Sequence, residues 1–194
     1  MRVVLSVMLS VCLRRWIIPD SEGCEMQMEN KRGRSGAGKM STDFRKSTVY
    51  QIYPKSFCDT NGDGLGDLRG VIEKLDYINE LGADYIWLTA LFVSPQDDNG
   101  YDVEDYYRID PRYGTMEDVE ELIAKAAERG IGLMFDMVFN HVSTRHQWFR
   151  RAMEGDPYYK EFFFFRRGRA KGQPPTNWES KFGGSAWEYV EKFD

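Results

Sequence analysis

Little in this sequence points to a nucleic acid, a membrane or an oxidising compartment. Its 194 residues carry 26 Lys and Arg against 31 Asp and Glu, a net charge of −5. The basic face that a nucleic-acid backbone demands is therefore missing. Cysteine is scarce: Cys12, Cys24 and Cys58 make an odd count with no close pairs. That offers neither a disulfide framework nor a zinc site, and makes a reducing, cytoplasmic setting the default. The apolar run from Val3 to Leu13 is too short for a membrane span, which needs about 20 residues. Flanked by Arg2 and by Arg14 and Arg15, it has the shape of a signal-peptide apolar region, but no small-residue cleavage site follows. A glycine fingerprint for dinucleotides is absent after the first predicted strand. The His-Glu-x-x-His metal pattern is absent too, and His141 and His146, five apart, do not share a helical face.

What is present is enough for one globular core: 42% apolar residues, with 14% aromatic. The aromatics suit a plain core and also a sugar cleft, where apolar sugar faces stack on rings. Residues 1–39 read unlike the rest. Residues 20–39 are rich in Gly, Ser and charge, as a disordered segment is. Because Met40 immediately precedes a coherent domain, a start called too early is preferred over a signal or a true extension.

From residue 40 the pattern alternates. Val49–Tyr53 is β-branched and aromatic and ends at Pro54, which predicts a strand. Leu68, Val71, Ile72, Leu75, Ile78 and Leu81 have helical spacing, with Gly82 as the stop. Tyr85–Leu88 predicts a short buried strand, and a long loop, 89–114, follows. Thr115 and Asp118 form a capping-box-like start to a helix with Met116, Val119, Leu122, Ile123, Ala126 and Ala127 as its stripe. Gly132–Val138, apolar except for Asp136, reads as a strand buried on both faces. Strand–helix alternation implies a parallel sheet with right-handed crossovers. Polar groups just beyond the second and third strands favour a barrel over a doubly wound sheet. From about residue 142 the alternation fails, and 155–194 read as an irregular excursion forming a small subdomain.

Three constellations carry chemistry. Asp59, Asn61, Asp63 and Asp67, with the Leu65 carbonyl, place oxygens at alternate positions in a Gly-rich loop. That suits Ca²⁺, though the bidentate Glu of the EF-hand is missing and a polar turn ending at an Asp67 helix cap is the alternative. Asp136, Asn140 and His141 combine a costly carboxylate in a buried strand with groups that hydrogen-bond hydroxyls; a structural network is the alternative. Asp98 and Tyr101 in Asp98-Asn99-Gly100-Tyr101 could grip vicinal hydroxyls and stack on a ring, or form an Asx turn with a surface tyrosine.

Taken together, YQIYPKSF (50–57), DTNGDGLGDL (59–68), DNGYD (98–102), YGTMEDVEEL (113–122) and DMVFNH (136–141) resemble the α-amylase family of glycoside hydrolases over residues 48 to 194. Within it the sequence is similar to the oligo-1,6-glucosidase subgroup. TNWESKFGGSAWEYVEKFD (176–194), YPKSF (53–57) and HVSTRHQWF (141–149) resemble the members that hydrolyse trehalose 6-phosphate more than their sister glucosidases.

The resemblance implies an α/β fold: the N-terminal part of a (β/α)₈ barrel over 40–141, its first three units, with the start of an inserted domain over 142–194. It implies retaining hydrolysis of a small α-glucoside, trehalose 6-phosphate or an isomaltose-like sugar, with no nucleic-acid or membrane partner. Asp98 would hold hydroxyls of the terminal glucose, Tyr101 would stack beneath it and His141 would bond it. Asp136 and Asn140 would orient the site, and Asp59, Asn61, Asp63, Leu65 and Asp67 would bind structural Ca²⁺. The nucleophile and the acid/base of the family lie on the fourth and fifth strands, beyond residue 194. No catalytic carboxylate is therefore expected here, and the chain alone is expected to be inactive. A non-catalytic sugar-binding relative and a gene remnant are the alternatives.

Overall fold

In the computed structural model the residues described are 2–4, 44–170 and 172–193. Strand β1 is Arg2–Val4; the rest of the N-terminal segment, with Cys12, Cys24, most of the Val3–Leu13 run and residues 20–39, lies outside the described residues. The chain divides into two compact units.

One unit comprises the described part of Ile18–Val93 together with Tyr106–Met137. Its centre is a parallel sheet of β2 (Val49–Ile52), β3 (Tyr85–Leu88) and β6 (Gly132–Phe135), in the order β2-β3-β6. Ile52 pairs with Leu88 and Leu88 with Phe135, so the three strands end level. The ladder continues one step further: the Thr89 N–H donates to the Ile52 carbonyl and the Asp136 N–H to that of Leu88, both at 3.1 Å. Asp136 therefore sits just beyond β6 and not inside a buried strand. Nor is β6 covered on both faces, since Met134 is 38% exposed. The continuous apolar run is the signature of an interior strand, whereas here β6 is hydrogen-bonded to β3 alone among the described strands.

The predicted helix over 68–81 is two helices, α1 (Leu68–Glu73) and α2 (Leu75–Glu80). At Lys74 the backbone turns to φ −96°, ψ 6°, and its N–H is shared between the carbonyls of Gly70 and Val71, the tightening that closes a helical turn. The apolar spacing survives the break: Leu68, Val71, Leu75 and Ile78 are all fully buried, whereas Leu81 is exposed. Helix α3 (Met116–Glu128) begins at the expected capping box: Thr115 Oγ1 accepts from the Asp118 N–H at 3.2 Å, and Asp118 Oδ2 from the Thr115 N–H at 2.8 Å. Its buried stripe is narrower than the spacing predicts. Val119, Leu122 and Ala126 face the core, whereas Met116 and Ile123 are 44% and 48% exposed. Arg69 on α1 clamps the flank of α3, with its Nε 2.6 Å from Asp118 Oδ1 and its Nη1 on Glu121. The 89–114 connection is not structureless. It contains the two-stranded sheet of β4 (Phe92–Val93) and β5 (Asp105–Ile109).

The other unit comprises Ser94–Asp105 and Val138–Asp194 together with β1. It is more regular than the irregular excursion predicted over 155–194. His146 caps α4 (Gln147–Glu154), which stops at Gly155 with φ 107°, the left-handed position that glycine adopts at a helix end. Asp156 then caps the short α5 (Pro157–Lys160), accepting the Tyr158 N–H at 3.0 Å. Strands β7 (Phe164–Arg166) and β8 (Trp187–Tyr189) flank β1 in an antiparallel sheet of order β7-β1-β8. Edge-to-face aromatic pairs join the parts: Phe149 with Phe163, Trp148 with Phe162, and Phe165 with Phe193.

Candidate functional site

The Asp59–Asp67 loop follows β2 and is held on the first unit by two glycines. A Cβ on Gly66 would lie 2.1 Å from the Pro54 carbonyl oxygen, and one on Gly70 would lie 2.1 Å from that of Cys58. Three side chains along the loop accept the backbone N–H two residues on: Asp59 from Asn61 at 3.1 Å, Asn61 from Asp63 and Asp63 from Leu65, both at 2.8 Å. Asp59 also accepts from Gly62 and Gly64. These backbone bonds, chiefly those from Gly64 and Gly62, hold its carboxyl below the ordinary range. Asp67 is the cap of α1, taking the Gly70 N–H at 2.7 Å while its other oxygen binds both the N–H and hydroxyl of Thr60. Burial pushes Asp67 up, but the hydrogen bonds outweigh it and its carboxyl lies low. All the donor atoms are oxygens, the chemistry a hard cation requires. Among the described residues, no three His, Cys, Asp or Glu side chains group as a metal site. Any set here depends on Asn61 and the Leu65 carbonyl.

In the other unit, Asp98 and Tyr101 occupy one tight loop. The Tyr101 N–H donates to the Asp98 carbonyl at 3.0 Å. Both side chains are half-buried, as is His141, whereas Asn140 is exposed. The loop is built around Asp102, the last residue of DNGYD, whose role no local sequence signal marks. Its carboxylate takes the Ser94 hydroxyl at 2.6 Å, the Asp97 N–H at 2.9 Å and the Asp98 N–H at 3.1 Å. Burial raises its pKa, but the bonds from Ser94, Asp98 and Asp97 overcome this and hold the carboxyl below its usual range. One residue on, the Val103 carbonyl accepts the Ser143 N–H at 2.9 Å, and Val103, Val142 and Ser143 are buried. That bond joins the segment carrying Asp98 and Tyr101 to the one carrying Asn140 and His141. The structure thus brings four of the five expected sugar-site residues into one unit and places Asp136 in the other.

His146 is not part of that set. It is 4% exposed, and its Nδ1 accepts the Trp148 N–H at 3.1 Å. Burial pushes its pKa down, only partly opposed by Asp105. The buried Asp110 is likewise structural, held by Arg112 through Nε at 2.8 Å and Nη2 at 2.7 Å. Cys58 is a free thiol. Among the described residues, no helix is long and apolar enough to cross a membrane.

Residues 51–194 match the α-amylase catalytic domain. The chain belongs to the α-amylase family. It is 55% identical over 149 residues to trehalose-6-phosphate hydrolase of Bacillus subtilis strain 168, covering 76% of this chain and 27% of that one. It is 51% identical over 153 residues to oligo-1,6-glucosidase of Heyndrickxia coagulans, covering 78% and 28%. The crystal structure of Bacillus licheniformis trehalose-6-phosphate hydrolase superposes with a TM-score of 0.73 at 58% identity, over 75% of this chain and 26% of that chain. The chain thus spans about a quarter of the length of these relatives. Within the α-amylase family fold, the parallel β2-β3-β6 sheet and its helices are the N-terminal part of the (β/α)₈ barrel.

Proposed function

We propose that this chain supplies the sugar-gripping part of a retaining α-glucoside hydrolase whose substrate is trehalose 6-phosphate, released as glucose and glucose 6-phosphate. The observation that carries the reading is the pairing of the Asp98–Tyr101 loop with the Asn140–His141 segment through Val103 and Ser143. A carboxylate, a ring face and an imidazole in one unit are the groups that hold a terminal glucose. Asp98 accepts hydrogen bonds from its hydroxyls, and Tyr101 stacks on its apolar face. His141 bonds a hydroxyl and supports the charge that develops in an oxocarbenium-like transition state. Asn140 acts by orienting. No carboxylate of this chain is assigned as nucleophile or acid/base; a retaining pair stands about 5 Å apart across the scissile bond. Identity to trehalose-6-phosphate hydrolase supports this substrate over an isomaltose-like one, and the scarcity of cysteine supports a cytoplasmic setting.

A second reading, hydrolysis of isomaltose-like sugars, draws on the 51% identity to oligo-1,6-glucosidase. Purifying the natural gene product and assaying it on trehalose 6-phosphate and on isomaltose separates the two. Release of glucose 6-phosphate is expected, and cleavage of isomaltose alone would discard the first reading. Sugar binding without turnover of either would indicate a non-catalytic relative.

The Asp59–Asp67 loop is proposed to hold structural Ca²⁺, supported by its oxygen-only donors and its curl through Gly62 and Gly64, at φ 79° and 90°. Saturating Ca²⁺ should raise Tm, with stabilisation of about 2.7 kcal/mol at a hundredfold excess over Kd. An unchanged Tm, with no heat in calorimetric titration, would remove the ion from the account.

A further inference from the structure

We propose that Asp102 is a positioning residue: its carboxylate sets the backbone of Asp97 and Asp98 and so aims the Asp98 side chain at the sugar. The inference rests on the reading of Asp98 as a hydroxyl ligand. Both Asp102 oxygens are used inside the loop, Oδ1 by Ser94 Oγ and the Asp98 N–H, and Oδ2 by the Asp97 N–H. Ser94 Oγ in turn accepts the Gln96 N–H at 2.8 Å, so one hydroxyl and one carboxylate together bind three consecutive amides. The clamp has strain to hold. Gln96 and Asn99, at φ 68° and 51°, are non-glycine residues in the left-handed region on either side of Asp97–Asp98, a conformation that persists only where the surroundings impose it. Gly100 follows at φ 101°. Without the carboxylate, the two N–H groups lose their common acceptor and the peptide between Asp97 and Asp98 is free to rotate, carrying the Asp98 side chain with it. Directly after Asp102, Val103 makes the bond to Ser143, so the clamp sits between the sugar ligand and the anchor of its loop.

The test uses the full 194-residue chain and methyl α-glucoside as the probe, with affinity and residue-resolved amide exchange read by NMR. Asp102→Asn keeps the side-chain shape and removes its charge. Exchange at Asp97 and Asp98 should quicken roughly tenfold, the effect of one lost charge-assisted hydrogen bond. Affinity for the probe should fall by a similar factor, while the Phe149 and Ala152 amides of α4 exchange as before. Asp98→Asn should lose affinity with the Asp97 exchange rate unchanged. Unaltered exchange in Asp102→Asn would overturn the proposal, as would quickened exchange with full affinity. Should the α4 amides also quicken, the smaller change Ser94→Ala decides by the same criteria. If Asp98→Asn binds as well as the unaltered chain, or the unaltered chain does not bind, the sugar-ligand reading of Asp98 fails. The exchange data then still decide whether Asp102 holds the loop.

Discussion

Each of the two units is stabilised by its own mix of apolar burial and polar bonding. In the strand–helix unit, Ile52, Leu68, Val71, Leu75, Ile78, Ile86, Leu88 and Leu122 form one apolar core beneath a parallel ladder. In the other, the buried set mixes Val103, Val142, Phe149 and Trp187 with the polar Ser94, Ser143 and His146. Beside its backbone ladder, side chains there accept backbone N–H groups: Asp102 from Asp97 and Asp98, His146 from Trp148, and Ser185 from Trp187. Apolar burial is indifferent to pH and tolerant of direction, whereas polar clamps are directional and depend on protonation. The proposed sugar ligands sit beside the Asp102 clamp, which suits a site where loop backbone must hold side chains at set angles.

The largest effect should come from the apolar unit. Leu122→Ala removes a fully buried side chain and should cost about 3 kcal/mol, read by urea denaturation. A loss below about 1 kcal/mol would show that α3 is not held by burial, and the contrast between the units would collapse.

An intermediate effect separates the units by pH. Burial depresses the His146 pKa, so the native state favours the neutral ring. Stability from it is complete above the unfolded value of about 6.5 and is lost as pH falls through the lower folded value. Asp102, also depressed, gives stability present above the ordinary carboxylate range and lost at more acid pH. Between about pH 7 and 5, the α4 amides should therefore lose exchange protection while those of β3 keep theirs. Equal losses in both would break the comparison; His146→Asn, which keeps a cap but cannot titrate, should flatten the α4 response.

The smallest effect sharpens a point within the apolar unit. Thr115→Ala removes one half of the α3 capping box and should cost about 1 kcal/mol, measured as a fall in Tm. No change would mean that the Arg69–Asp118 pair carries that helix end unaided.

Chain order and local chemistry determined much of this protein. Alternating patterns located all three parallel strands; Thr115 and Asp118 marked a helix start that the structure keeps. The long family motifs identified the fold that the comparisons show. These features are legible because a cap, a strand period and a turn each depend on residues a few positions apart. The signals for α4 and α5 were also local: Gly155, and Asp156 before Pro157, close one helix and open the next. Only tertiary structure decided the rest. It placed Asp136 beyond β6, divided the helix at Lys74 and exposed Ile123, because each outcome depends on what lies across the sheet or against the helix. Above all it assigned Asp102 its part, since a carboxylate in DNGYD reads as a ligand or a turn until its partners, Ser94 eight residues back and the Asp97 and Asp98 amides, are seen to converge on it.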